Sequence, residues 1–124
     1  MTWEKNQSFL LRLRFALHGI AHALASENSL KFQGATFVLL LAVLLLVRPA
    51  PVWWALTILS SSSVLAAELF NTALEQLVDY LQPEIHPHIK AFKDCAAAAV
   101  LLTVCGAVAV GIAFVVDVFH LGPS

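Results

Sequence analysis

The chain has 124 residues, 60% of them hydrophobic and only 12% charged, with a mean hydropathy of +0.83. A water-soluble domain carries roughly a quarter charged residues, so lipid must be the solvent for much of this surface, and a single domain over residues 1–124 is the natural count. The formal net charge of −1 gives no electrostatic footprint for nucleic acid, which is not expected as a partner.

The N-terminal stretch MTWEKNQSFLLRLRFALHGIAHALA is periodic and interrupted by Arg12, Arg14, His18 and His22. It lacks the continuous apolar core of a removable signal peptide. From about residue 8 to 25, Phe9, Leu10, Leu13, Leu17, Ile20 and Leu24 make an apolar stripe, with the basic residues off it or at its edge. This pattern predicts an amphipathic helix in the headgroup plane; an ordinary packed helix has the same periodicity.

A first membrane span is predicted over about 30–47, densest in FVLLLAVLLLV, and Arg48-Pro49-Ala50-Pro51 closes it because prolines stop helices and set turns. A second span runs over about 52–81, through the run Ser60-Ser61-Ser62-Ser63. PEIHPH (Pro83 to His88) reads as a polar loop, and a third span follows over about 91–119. Each span is long enough for a hydrocarbon core of about 30 Å. The fold class is therefore an all-α membrane protein, a surface helix followed by three transmembrane helices.

Six of the seven Lys and Arg (Lys5, Arg12, Arg14, Lys31, Lys90, Lys93) precede the first span or lie between the second and third, and Arg48 alone lies on the other side. The positive-inside rule then predicts a cytoplasmic N-terminus and an extracytoplasmic C-terminus. The four serines are expected to hydrogen-bond their own backbone and let helices approach, and Ala107 and Gly111 suggest close helix contact in the third span. Cys95 and Cys105, about 15 Å apart along one helix, are too distant for a disulfide.

The second span ends in VLAAELFNTALEQLVDYL, where Glu68, Asn71, Thr72, Glu75 and Asp79 share one helix face. Ionisable groups at membrane depth are expensive and mark function by default. Counted from Val52 at 1.5 Å per residue, Glu68 lies about 24 Å down the helix, near the inner edge of the hydrocarbon core. Glu75 lies about 10 Å further and Asp79 further still, among headgroups or cytosol. One face thus runs from lipid into water with carboxylates at successive depths. Glu27 and Asn28, before the first span, and Lys93 and Asp94, opening the third, reach the same interface from other helices. Glu27 and Glu75 suit a hard cation such as Mg²⁺, whose remaining ligands come from substrate phosphates, while Lys93 offers a cation to phosphate oxygens. No GxxxxGK[ST] loop occurs, so any nucleotide site must be built from side chains. Taken singly, Glu75 and Asp79 fit a solvated helix end, His86 and His88 exposed loop residues, and Lys93-Asp94 an interfacial anchor. Glu68 has no such ordinary explanation, since an apolar helix gains nothing from an unpaired carboxylate at that depth.

Glu68-Leu69-Phe70-Asn71-Thr72-Ala73-Leu74-Glu75, then Asp79, then Lys93-Asp94 resembles the E-x-x-N-[ST]-A-x-E … D … K-D signature of the small prokaryotic diacylglycerol kinases, a family that also contains undecaprenol kinases. The resemblance runs from about Phe9 to Val116 and keeps the order of parts. It implies a homotrimer in the bacterial inner membrane that transfers the γ-phosphoryl of Mg-ATP to a membrane lipid alcohol at sites near the cytoplasmic face. Position by position it implies Glu68 as general base, Glu27 and Glu75 as metal ligands, and Asn71 as a supporting site residue. For the nucleotide it implies Glu27, Glu75, Asp79, Glu84, Ile85, His86, Lys93 and Asp94. Ser8, Phe15 and Gln33 stand where the well-studied enterobacterial branch has an arginine, a tyrosine and an acidic residue, and Arg12 or Arg14 is the replacement expected for that arginine. Glu27, Asn28 and Lys31, with PEIHPHIKAFKD, look closer to the undecaprenol-kinase-like branch. Arg14, Asn28, Lys31 and Gln33 are therefore the expected lipid contacts, with diacylglycerol first and undecaprenol as the alternative. Two other readings compete: a small assembly or regulatory subunit using the acidic stripe as polar glue, and an ion conductor using Glu68 as a relay. No matching acid in the other spans supports the conductor.

Overall fold

Lipid offers the backbone no hydrogen-bond partners, so long apolar runs without interior proline must close their bonds internally as helices. The computed structural model describes residues 8–82, 84 and 86–120, and every regular element among them is helical. The elements are α1 (Phe9–Ser26), α2 (Asn28–Val47), α3 (Pro51–Leu81) and α4 (Pro87–Val118). The last three are long and apolar enough to cross a membrane, with mean hydropathies of 2.2, 1.4 and 2.7. With 31 residues, α3 is about 46 Å long, longer than a hydrocarbon core of about 30 Å.

The corners have local causes. Ser8 caps α1 by accepting a hydrogen bond from Leu11 N–H at 3.3 Å. One extended residue, Glu27 (φ −116°, ψ 115°), separates α1 from α2. Arg48 ends α2 in the left-handed region at φ 52°, ψ 57°, a C-cap position that glycine usually fills. Pro51 and Pro87 occupy the first turns of α3 and α4, where a missing N–H costs nothing. The polar loop expected through His88 therefore ends earlier. His86 is the N-cap, its Nδ1 accepting from His88 N–H at 3.2 Å, and α4 starts at Pro87 instead of near residue 91.

Helix α3 is the hub. It packs most extensively on α4, then on α2 and α1, while α4 brings no Cα within 8 Å of α1 or α2 among the described residues. The buried apolar residues are Ala23, Leu30, Leu44, Val64 and Val78, joined by Thr57, Glu68 and Thr72, and α4 contributes none. The α1 stripe of Phe9, Leu10, Leu13, Leu17, Ile20 and Leu24 is exposed, and Ala23 is the residue through which α1 is buried. Ser60, Ser62 and Ser63 donate to carbonyls three or four residues back, as membrane serines do. Ala107 and Gly111 line a cavity of about 60 Å³ with residues of α2 and α3. A Cβ built on Gly111 meets nothing within 4 Å, so the close contact expected there is not made within one chain. Cys95 and Cys105 are free and exposed. At the far end of α3, Trp53 Nε1–H donates to Asp117 Oδ2 at 2.8 Å and its ring meets Phe114 edge-on at 5.5 Å.

Candidate functional site

Exposure along the acidic face of α3 rises toward the C-terminal end of the helix. Glu68 and Thr72, one turn apart, are 7% and 6% exposed, Asn71 and Glu75 are half-buried, and Asp79 is exposed. Glu68 is held by Ser29 in the first turn of α2, whose Oγ donates to Glu68 Oε2 at 3.4 Å. One turn below, Asn71 Nδ2 donates to Glu75 Oε1 at 3.3 Å, orienting that carboxylate. Asn71 Oδ1 is buried with no hydrogen-bond partner, an acceptor left open beside Glu75.

Past Glu75 the face becomes exposed at Asp79. A cavity of about 230 Å³ lies between the end of α3 and the start of α4, lined by Asp79, Glu84, His86, Lys93 and Asp94 with Gln82, Ile89 and Lys90. Lys93 Nζ is 2.7 Å from Asp79 Oδ1, and Lys90 Nζ is 2.6 Å from Asp94 Oδ2. The hydrogen bond from Lys90 to Asp94, and that carboxylate's charge, hold the Lys90 ammonium above its ordinary pKa. Both pairs are exposed, and such pairs are worth only about 0.2–1 kcal/mol, so either ammonium can leave its carboxylate at little cost. Five of the residues expected at a nucleotide (Asp79, Glu84, His86, Lys93, Asp94) thus share one cavity, and Ile85 lies outside the described residues.

A second cavity, about 390 Å³, runs between α1 and α3 past Ala16, Gly19, Ile20, His22 and Ala23 on one wall and Leu69, Thr72, Ala73 and Gln76 on the other. Leu69 follows Glu68 in the chain and Thr72 lies one turn on, so two residues of this wall are helix neighbours of Glu68. Across it, Gln76 Nε2 and His22 Nε2 are 3.4 Å apart; the pair is a hydrogen bond when the imidazole proton is on Nδ1. Arg14, Asn28 and Lys31 are exposed, and Gln33 lines a cavity of about 60 Å³ with Thr36 and Ser61. None of these four expected lipid contacts lines either of the two larger cavities. Ser29, Lys90 and the His22–Gln76 pair were not singled out for the site from sequence. Ser29 carried a signal, as a polar residue adjoining Glu27-Asn28 at the mouth of a span; the others depend on helix docking.

Among the described residues no group of three or more His, Cys, Asp and Glu side chains stands ready to hold a metal ion. Mg²⁺ does not need one, because one or two carboxylates and substrate phosphates complete its shell. The oriented Glu75 carboxylate beside the unpartnered Asn71 oxygen is a hard-oxygen set that fits such an ion. Glu27, half-buried at the α1–α2 corner, is the other carboxylate on offer.

Residues 14–115 match the family model described as prokaryotic diacylglycerol kinase. A protein of Synechocystis sp. named diacylglycerol kinase is 34% identical over 110 residues, covering 88% of this chain and 63% of that protein. A protein of Bacillus subtilis named undecaprenol kinase is 34% identical over 82 residues, covering 66% of this chain and 67% of that protein. The chain spans about two thirds of the length of both relatives. The matched stretch runs from within α1 almost to the end of α4 and holds Glu68, Asn71, Glu75, Asp79, Lys93 and Asp94. With three helices long and apolar enough to span a bilayer, the chain is a multi-pass membrane protein and belongs to the prokaryotic diacylglycerol kinase family.

Proposed function

We propose that the protein is a membrane lipid kinase that transfers the γ-phosphoryl group of Mg-ATP to a lipid alcohol, converting diacylglycerol to phosphatidic acid. The observation that carries this reading is one helix face with two ends. Glu68 is buried on α3, adjoining in the helix Leu69 and Thr72 of the α1–α3 groove, and the same helix runs on to an exposed cavity with two ammonium groups. A lipid hydroxyl and a water-borne polyphosphate can meet along that face without either leaving its own solvent.

Phosphoryl transfer asks the protein mainly for positioning and charge neutralisation. Glu68 accepts the proton of the lipid hydroxyl. That oxygen then bonds to the γ-phosphorus as the bond to the β–γ bridging oxygen breaks, and ADP departs. Ser29 holds the Glu68 carboxylate from α2, and Lys93, released from Asp79, offsets phosphate charge. Bound Mg²⁺ supplies further charge neutralisation on the phosphates, and Glu75 and Glu27 are the residues that would hold it. Asp79, Glu84, Ile85, His86 and Asp94 form the remaining nucleotide contacts. We place the N-terminus and the α3–α4 connection in the cytoplasm of a bacterial inner membrane, since six of the seven Lys and Arg lie on that side. We read the working form as a homotrimer. In support, the 32-residue apolar α4 buries no residue within its own chain.

The equal identity to relatives named for diacylglycerol and for undecaprenol supports undecaprenol as the alternative acceptor. The test is one assay of purified protein on both lipids in the same mixed micelles. Both are expected to be phosphorylated, with rates within about a thousandfold, or roughly 4 kcal/mol. Phosphorylation of neither overturns the kinase reading and leaves the stripe as polar glue of an assembly subunit.

A further inference from the structure

The cavity at the end of α3 contains a cation outside the family signature. Lys90 shares its wall with Lys93, facing the carboxylates Asp79, Glu84 and Asp94. With His86 neutral, the wall carries one net negative charge, an unfavourable surface for a polyphosphate. Without Lys90 that charge doubles. Lys90, Lys93 and Asp94 stand at i, i+3 and i+4 on the first turns of α4, so they share a face. The Cα atoms of the two lysines are stepped by about 4.5 Å along the axis, so their long side chains can address neighbouring phosphates. Each is held by a carboxylate, Lys90 by Asp94 and Lys93 by Asp79, and both pairs are open to water.

From this geometry we infer that Lys90 is a second determinant of nucleotide affinity. In the empty cavity it masks Asp94; when a nucleoside triphosphate enters, its ammonium moves from Asp94 to the phosphate chain beside that of Lys93. The inference rests on the kinase reading above and adds to it a residue that acts through charge. Salt is the distinguishing variable. Exposed charges act over a Debye length of about 20 Å at about 20 mM salt and about 4 Å at about 0.5 M, whereas a residue needed only to shape the helix start responds to neither.

The experiment measures equilibrium binding of a fluorescent trinitrophenyl analogue of ATP, with Mg²⁺, to the detergent-solubilised protein. The proteins compared are wild type, Lys90→Gln, Lys90→Arg and Lys93→Gln, each first checked for wild-type helicity and elution volume. Lys90→Gln is expected to raise Kd about three- to tenfold at low salt, an effect that shrinks toward twofold or less at about 0.5 M. Lys90→Arg should stay within about twofold of wild type, since it keeps the charge. If Lys90→Gln binds like wild type at low salt while Lys93→Gln binds weakly, the inference is wrong and the kinase reading stands. A Lys90→Gln defect of the same size at both salts assigns Lys90 a structural role and also overturns it. Absence of any binding to wild type removes both the inference and the nucleotide half of the kinase reading.

Discussion

Replacing Glu68 by glutamine removes the proposed base with the least structural disturbance this site allows. The side chain is 7% exposed, the amide is nearly isosteric, and its oxygen still accepts the Ser29 hydroxyl now bound to the carboxylate at 3.4 Å. The fold should survive. What disappears is a group able to take a proton, a loss that costs general-base enzymes about 10²–10⁴-fold in rate, or about 3–5 kcal/mol of barrier. The residues proposed to hold the nucleotide and its cation begin at Glu75, about 10 Å further along α3, and Glu68 is proposed to act on the lipid hydroxyl alone, so ATP binding should change little. In mixed micelles with saturating lipid, Glu68→Gln is expected to lose at least about 10² in kcat while KM for ATP stays within about twofold. Near-wild-type turnover would falsify the assignment. An equal collapse of nucleotide affinity would show that Glu68 shapes the site instead of reacting in it.

Three further outcomes follow from the same geometry. Glu75→Gln or Glu27→Gln should raise the Mg²⁺ concentration needed for half-maximal activity, since the ion loses a charged ligand; an unchanged Mg²⁺ titration in both would remove them from the metal site. A reporter fused after Ser124 should be active only if it functions on the extracytoplasmic side, and cytoplasmic activity would reverse the topology and carry the Lys93 cavity away from ATP. Trp53→Phe keeps the ring edge against Phe114 but loses the 2.8 Å donation to Asp117. Interhelical hydrogen bonds of this kind average about 0.6 kcal/mol and reach about 1.7, a loss to be read from unfolding in denaturing detergent, where an unchanged midpoint would mean the bond is worth nothing.

Hydropathy made the spans legible because lipid leaves the backbone few choices, and proline marked the start of α3. The start of α4 was misplaced because His86 to His88 are polar and resemble a loop, while their cap geometry belongs to a helix. The depth order of Glu68, Glu75 and Asp79 was legible too, since one helix fixes it. What sequence reading left out is what docking decides. Ser29 and Glu68 are 39 residues apart, His22 and Gln76 are 54 apart, and Trp53 and Asp117 are 64 apart. Gln33 is expected at the lipid site because it stands where the enterobacterial branch has an acidic residue, and it lines a small cavity with Thr36 and Ser61 because of how α2 turns against α3.

The most direct test of a single face joining lipid to nucleotide is the fate of one phosphorus atom. Purified protein in mixed micelles is given a lipid alcohol and ATP labelled at either the γ- or the α-phosphorus, and the extracted lipid is counted. The account predicts label in the lipid from γ-labelled ATP only, at a rate that falls at least about 10²-fold in Glu68→Gln. Unlabelled lipid from wild-type protein, or equal labelling by wild type and Glu68→Gln, would contradict it.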